Sequence, residues 1–282
     1  MTCHNRRETT LQCLKGLFNQ KITDNISLLV YLVDDGSVDG TAEAVCSLYP
    51  NVIVLRGSGS LFWNGGMRLA FLEALKKGYD YYLWLNDDTT LEPDAIAKLV
   101  KTYRSLEDKG YVDSIIVGST RDPETGMLSY GGLVRKSWCY ALGFRWIEPG
   151  DQPRQCVTMN GNCVLIPNGV ARNLGNLDDS FTHGLGDYDY GLRASKMGYF
   201  VWVAPFYVGF CARNSIRGTW MDHELPFRQR LKKVKRPTGR VPKETMVFAR
   251  RHGGVLWFLY WISLYRHLFI KPVDSEPKAL DY

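Results

Sequence analysis

Two apolar, strand-like runs each empty into a cluster of polar and acidic residues, and this pairing constrains the fold more than any other feature of the chain. Leu28-Leu29-Val30-Tyr31-Leu32-Val33 leads into Asp34-Asp35-Gly36-Ser37, and Tyr81-Tyr82-Leu83-Trp84-Leu85 leads into Asn86-Asp87-Asp88. A continuous apolar run, rather than an alternating one, belongs to a strand covered on both faces, as in a parallel sheet between helices. The intervening sequence supplies those helices. Thr41 to Leu48 reads as a helix and Val52 to Leu55 as a strand. The glycine-bearing loop Gly57-Ser58-Gly59-Ser60 leads to a second helix over about Asn64 to Lys77, and Pro93 suits the first turn of a third. Strand alternating with helix at this spacing predicts an α/β fold with a mostly parallel central sheet flanked by helices. Ligands of such folds gather beyond the carboxyl ends of the strands, where both acidic clusters fall.

The remainder of the chain departs from that rhythm. It opens at Met1-Thr2-Cys3-His4-Asn5-Arg6 with a helix-like stretch, Glu8 to Phe18, following at once. Either the first strand is very short or the true start lies upstream. After Ile115-Ile116-Val117-Gly118, Tyr130 to Leu133 and Trp138 to Trp146 read as hairpins, so mixed topology is expected there. A strand at Cys163 to Ile166, a helix near Asp187 to Met197 and a strand at Phe200 to Ala204 close this part. With 282 residues and 45% hydrophobic content, one large domain with an appendage fits better than two complete domains.

The net charge of +6 is local. Arg228 to Arg251 carries a dense basic run against the single acid Glu244, and a largely apolar stretch from Val255 to Leu264 follows, with Arg266, His267 and Lys271 beyond. A basic run before an apolar one suits an anionic membrane surface, and no nucleic-acid motif accompanies it, so no nucleic-acid partner is expected. The apolar stretch is too short and too interrupted to span a bilayer. A helix there has three places to go: the membrane interface, the main domain, or a second copy of the chain. Seven cysteines without metal-type spacing, and no signal peptide, point to a reducing cytoplasm.

Three acidic sites suit chemistry on an activated sugar nucleotide. Such a transfer must hold the base, neutralise a leaving diphosphate and deprotonate an acceptor hydroxyl. Asp34 or Asp35 offers a carboxylate to a pyrimidine N–H. Asn86-Asp87-Asp88 offers hard oxygen ligands to Mg²⁺ or Mn²⁺. Asp187 and Asp189, after Gly184-Leu185-Gly186, stand near a helix start where a base would serve. Each also has a plain structural use, as a turn, a helix cap and acids in a first helical turn respectively.

Taken in order and spacing, these motifs resemble the family 2 glycosyltransferases, inverting enzymes of the GT-A (nucleotide-diphospho-sugar transferase) fold. The resemblance runs from Thr2 to about Ser215. It rests on Thr2-Cys3-His4-Asn5-Arg6, on Asp34 to Thr41 (Asp-Asp-Gly-Ser-Val-Asp-Gly-Thr), on Leu85 to Asp88, and on Gly186 to Arg193 with Gly198 beyond. It implies a GT-A catalytic domain over residues 1–215, with a nucleotide-binding half (1–118) and an acceptor half (119–215). A basic linker and apolar helical C-terminal extension would occupy 216–282. It implies Asp187 as general base, Asp88 as the metal ligand, and Thr2, His4, Asn5, Arg6, Asp34, Asp35, Asn64 and Asp87 toward the nucleotide. Trp63, Asn160, Asp189 and His183 fall toward donor sugar or acceptor. The implied cofactor is a divalent cation, Mn²⁺ or Mg²⁺, and the reaction a single in-line displacement with inversion.

The implied substrates are a UDP- or dTDP-sugar donor and a glycan or lipid-linked glycan acceptor in surface-polysaccharide synthesis of the bacterial type. The enzyme would sit in the cytoplasm, peripheral to the inner face of the membrane, or dimerise through its C-terminal helix. Two departures from the pattern stand out: Gly186 precedes Asp187 where many relatives carry Glu, and Phe206 to Ser215 lacks the late His ligand of some. Two other classes stay open on sequence. One is a sugar-nucleotide nucleotidyltransferase, which would need a glycine-rich basic phosphate loop that is absent here. The other is an inactive, glycan-binding homologue.

Overall fold

The structure, a computed structural model, describes residues 1–22, 26–137 and 140–270. Trp138 and Lys271 lie outside the described residues. In chain order the first elements are β1 (Thr2–Cys3), α1 (Arg7–Phe18), β2 (Tyr31–Asp34), α2 (Thr41–Leu48), β3 (Ile53–Arg56), α3 (Phe62–Leu75), β4 (Tyr81–Leu85), β5 (Thr90–Leu91) and α4 (Ala95–Glu107). They alternate as the sequence predicts. Pro93 sits just before α4 rather than in its first turn, and the Glu92 carbonyl accepts from Ala95 N–H to turn the chain into the helix. β1, β2 and β3 form a parallel sheet with Thr2 beside Val33 and Tyr31 beside Ile53.

The second half contains β6 (Ile115–Arg121), β7 (Leu128–Tyr130), β8 (Gly132–Arg135), β9 (Phe144–Trp146), β10 (Arg154–Cys156), β11 (Thr158–Met159), β12 (Cys163–Pro167), α5 (Asn168–Leu174), α6 (Gly186–Lys196) and β13 (Val201–Phe210). A second sheet runs β10-β13-β6-β12-β4, with β5 on β13 and β7 on β6. Here strand directions are mixed. β13 is parallel to β6, whereas β12 lies antiparallel to both β4 and β6, with Val164 between Trp84 and Val117. Parallel neighbours need a long crossover. Between β6 and β12 the chain instead makes the small antiparallel sheet β11-β8-β9 and returns in the opposite sense.

The mixed sheet is covered on both faces, which explains its apolar strands. Ile116, Leu85, Cys163 and Leu165 pack toward α1 and α4, with Leu14 and Leu99 fully buried there. Their neighbours Ile115, Val117, Trp84 and Val164 pack the other way, against Met67, Phe71 and Tyr190 from α3 and α6. Burying each such side chain stabilises the fold by about 1.5–3 kcal/mol. Helix α3 approaches β1 closely because Gly66 has no side chain: a Cβ there would lie 2.1 Å from Thr2 Oγ1.

The basic segment read from sequence as a linker is folded as α7 (Phe227–Val234) and α8 (Pro242–His252), and α9 (Trp257–Ser263) follows. Pro242 opens α8, where its missing N–H costs nothing. Phe248 of α8 is fully buried, edge-on to Phe181. Asp189 on α6 secures this packing. Its Oδ2 accepts from Arg193 Nε (2.7 Å), and its Oδ1 accepts from Arg251 Nη1 (2.7 Å) and His252 Nε2 (2.8 Å). Burial pushes the Asp189 carboxyl up, but these donors outweigh it and hold the group below its ordinary range. Among the described residues no helix is long and apolar enough to cross a membrane.

Removing the acid would leave three donors around a fully buried position. Asp189→Ala should lower unfolding stability by about 3 kcal/mol or more, read by urea denaturation; a loss under about 1 kcal/mol would show that the cluster does not anchor α8.

Candidate active site

A cavity of about 620 Å³ opens at the carboxyl ends of β1, β2 and β4, against the start of α6. Among the residues that line it are Thr2, His4, Arg6, Asp35, Asp87 and Asp88 on one side and Asn160, His183 and Asp187 on the other. The sequence motifs from distant parts of the chain therefore meet at one place. Three non-glycine residues with left-handed backbone adjoin it: Asn5 (φ 51°), Phe62 (φ 53°) and Leu185 (φ 71°). Such conformations cost about 1–3 kcal/mol each and persist where surrounding bonds enforce them.

The Asp35 carboxylate enforces one of them. Its Oδ1 accepts from Gly59 N–H (2.7 Å), and its Oδ2 accepts from Leu61 and Phe62 N–H (2.8 and 2.9 Å). It thereby shapes the loop entering α3. Asp34 Oδ1 accepts from Ser37 N–H, as a turn-forming Asp does. His4 Nδ1 donates to the Asp35 carbonyl (2.6 Å), and Asn5 bonds Ser37 and Val38, which ties the β1–α1 turn to the loop after β2. Asn5, Asp34 and Asn64 are not among the cavity-lining residues. Asn64 is fully buried and donates to the Asp178 and Phe181 carbonyls, so it braces α3 against the loop before α6.

At the end of β4, Arg6 Nη1 donates to Asp87 Oδ1 and Asp88 Oδ2, each at 2.9 Å. Burial lifts the Asp87 carboxyl to about 6 despite that pairing, while Asp88 is partly open to the cavity. Asn86 is held by Trp63, whose Nε1 donates to Asn86 Oδ1 (2.7 Å). The Trp63 ring rests on backbone: a Cβ on Gly161 would lie 2.4 Å from its Cζ2 and 3.4 Å from Asp187 Cβ.

Asp187 stands in the first turn of α6. Its Oδ2 accepts from Gly161 N–H and its Oδ1 from its neighbour Tyr188 N–H, both at 2.9 Å. No cation pairs with it among the ion pairs of the described residues. Burial therefore raises its carboxyl to about 6, and the two amides only partly oppose this. Asn160 Oδ1 accepts from Trp146 Nε1 (2.7 Å). Burial, with Arg6 nearby, lowers the His183 pKa and favours the neutral ring. Asp189, two residues along the helix from Asp187, faces away into the cation cluster and does not line the cavity.

Sequence reasoning missed a whole wall. Trp220, Met221, Arg240, Val241, Glu244 and Thr245 close the cavity from the C-terminal extension. Glu244 is fixed there by accepting from the Thr182 hydroxyl (2.7 Å) and N–H (3.2 Å). The available signal was Glu244 itself, a single acid in a basic run.

Among the described residues no group of three or more His, Cys, Asp or Glu side chains is arranged to hold a metal ion. Mg²⁺-type ions, however, bind through one or two carboxylates together with substrate phosphates and water. Asp88 and Asp87, adjacent and facing the cavity, fit that sparse donor set.

Residues 1–149 match the family model described as Glycosyl transferase family 2. The chain is 23% identical over 284 residues to an N-acetylglucosaminyl-diphospho-decaprenol L-rhamnosyltransferase of Mycobacterium tuberculosis, covering 86% of this chain and 83% of that one. It is 30% identical over 121 residues to a chondroitin synthase of Pasteurella multocida, covering 43% of this chain and 12% of that one. Its fold is similar to that of the mannosyltransferase PcManGT from Pyrobaculum calidifontis, solved in complex with GDP-Man and Mn²⁺. The TM-score is 0.53 at 14% identity, over 96% of this chain and 79% of that one. The fold is thus the expected GT-A type.

A raised Asp187 pKa means the folded state holds a proton more tightly than the unfolded chain. The resulting stabilisation is complete below about pH 4 and disappears as pH rises through about 6. Asp187→Asn lacks this burden, so its melting temperature should gain on wild type as pH is raised from 5 to 8. A gap that stays constant across that range would show that the carboxylate is not destabilised.

Proposed function

The chain belongs to glycosyl transferase family 2, and from that premise we propose that it moves a sugar from a nucleoside diphosphate to a hydroxyl of a lipid-linked glycan, with inversion. The observation that carries this reading is Asp187: a carboxylate raised to about 6, held by two backbone amides, at the wall of the cavity that Asp87 and Asp88 also line. A base with its pKa near working pH takes a proton efficiently, which suits deprotonation of the acceptor hydroxyl as it attacks. The amides of Gly161 and Tyr188 orient the carboxylate, and Trp63 keeps Gly161 in place.

On the donor side, Asp88 with support from Asp87 would hold a divalent cation, Mn²⁺ or Mg²⁺, whose charge would offset that of the leaving diphosphate. Thr2, His4 and Arg6 face the cavity beside them, where the nucleotide would lie. Asp35 contributes indirectly by holding the Gly59–Phe62 loop. A UDP- or dTDP-sugar is the donor proposed.

The acceptor class has two supports. The mycobacterial relative is named for a diphospho-decaprenol substrate. In this chain, Val255, Leu256, Phe258, Leu259 and Ile262 expose apolar side chains just after α8, and Arg250 is also exposed. The opposite face of α9 is packed, with Trp261 Nε1 donating to Thr245 Oγ1 on the cavity-lining helix. The extension thus packs inward and offers an apolar, basic-flanked outer face to an anionic membrane surface. Such a surface at the inner face of the cell membrane would bring a lipid-linked acceptor beside the cavity.

Two experiments test these roles. With Mn²⁺ and a panel of UDP- and dTDP-sugars, Asp187→Asn should retain donor binding by thermal shift yet lower transfer by about 10²–10⁴-fold. Asp88→Ala should abolish the Mn²⁺-dependent part of donor binding. Wild-type turnover by Asp187→Asn would refute the base assignment. In the second, wild type should pellet with vesicles containing anionic lipid, and the triple variant Val255→Asp, Phe258→Asp, Ile262→Asp should stay in the supernatant with an unchanged melting temperature. Equal pelleting of the two proteins would exclude this face.

A further inference from the structure

Arg6 occupies the point that a divalent ion on Asp87 and Asp88 would need. Of the two Asp87 oxygens, Oδ2 is turned to the Thr10 hydroxyl (3.4 Å). Of the two Asp88 oxygens, Oδ1 accepts from the Cys211 thiol (3.4 Å). The remaining pair, Asp87 Oδ1 and Asp88 Oδ2, converge on the single nitrogen Arg6 Nη1, 2.9 Å from each. A divalent ion held by those oxygens would exclude a guanidinium from them, by volume and by like charge.

The arm that holds this position is free to leave it. The Arg6 side chain is 45% exposed and reaches over the rim from the turn between β1 and α1. The turn itself is pinned, because Asn5 N–H donates to Ser37 Oγ and Asn5 Oδ1 accepts from Val38 N–H. The side chain can therefore swing while the backbone stays. Its destination follows from chemistry. A guanidinium pairs with phosphate oxygens in the same forked manner as with carboxylates.

We propose that Arg6 is a displaceable internal cation that makes metal binding depend on the nucleotide. This deepens the assignment of the metal to Asp88 and rests on it. In the empty enzyme Arg6 compensates Asp87 and Asp88 and keeps a lone divalent ion out. A nucleoside diphosphate arriving with the ion gives the guanidinium a new partner, and the carboxylates pass to the metal. Metal and nucleotide then bind with strong positive coupling, reciprocal by thermodynamic necessity.

The test is a Mn²⁺ titration of the full chain, followed by calorimetry and by the electron paramagnetic resonance of free Mn²⁺. It is run without nucleotide and with saturating UDP or dTDP. In wild type the nucleotide should tighten Mn²⁺ binding by roughly 5–150-fold, the usual range of such coupling. Arg6→Met should bind Mn²⁺ alone about tenfold more tightly than wild type and lose most of the coupling. Arg6→Lys, which keeps the charge, should leave Mn²⁺ alone weakly bound. A gain in affinity cannot arise from a damaged fold, and Arg6→Gln provides the same comparison should Arg6→Met not fold. Arg6→Met binding Mn²⁺ alone no tighter than wild type, or with coupling unchanged, would overturn the assignment. Absence of Mn²⁺ binding to wild type even with nucleotide would instead remove the metal reading on which it rests.

Discussion

The site depends on an indole seated against bare backbone. Trp63 joins the two halves of the chain: its Nε1 holds Asn86 at the end of β4, and its ring lies over Gly161, whose N–H holds Asp187. A side chain at 161 would collide with the ring at 2.4 Å, so the close approach exists only because that residue is glycine. The indole thus reinforces the direct pairing of β4 with β12, where Asn86 N–H donates to the Asn162 carbonyl (3.0 Å), in placing Asp187 beside the Asp87–Asp88 pair. Trp63 was expected from sequence to face the donor or acceptor. It does line the cavity, but its contacts give it the work of a spacer.

Electrostatic compensation then sorts the acids, which share a side-chain type. Asp35 has three backbone amides and Asp189 has three cationic or imidazole donors, and each is held in a structural task. Asp87 has one guanidinium that does not overcome burial. Asp187 has two amides and no cation, so burial raises it to about 6, as it does Asp87, but with no guanidinium beside it. Least-compensated carboxylates are where proton chemistry is expected. The fold creates that difference through its connections, since Asp187 and Asp189 are two residues apart on the same helix and face opposite surroundings.

This sorting also explains what was legible in the sequence. The strands and helices of the first half were readable because their apolar runs and the punctuation after them report local burial, and α2 and β4 fall where the pattern put them. The meeting of Asp35 and Asp88 follows from the rule that strand ends converge, while Asp187, in the first turn of a helix, joins them only through the family resemblance. The antiparallel entry of β12, by contrast, depends on a hairpin excursion with weak local signals. The separation of Asp187 from Asp189 depends on Arg251 and His252, some sixty residues away. The family resemblance directs Asn64 toward the nucleotide, but its fully buried amide serves two carbonyls before α6. In each case the deciding partner is remote in the chain, and residue type alone could not name it.

Contacts equally remote in the chain build the C-terminal extension into the cavity wall. Asp189 holds Arg251 and His252 at the end of α8, and the start of α8 supplies Val241, Glu244 and Thr245 to the cavity wall. Thr245 in turn receives Trp261 from α9, whose outward residues are the exposed apolar ones. A continuous chain of contacts thus runs from the helix that carries Asp187, through a buried acid and α8, to the apolar surface. Displacing α9 would press on α8, and α8 can shift only by disturbing an ion cluster with a fully buried carboxylate at its centre. The extension is consequently part of the cavity wall rather than a tether beside it, and its outer face is joined by these contacts to the helix that carries Asp187.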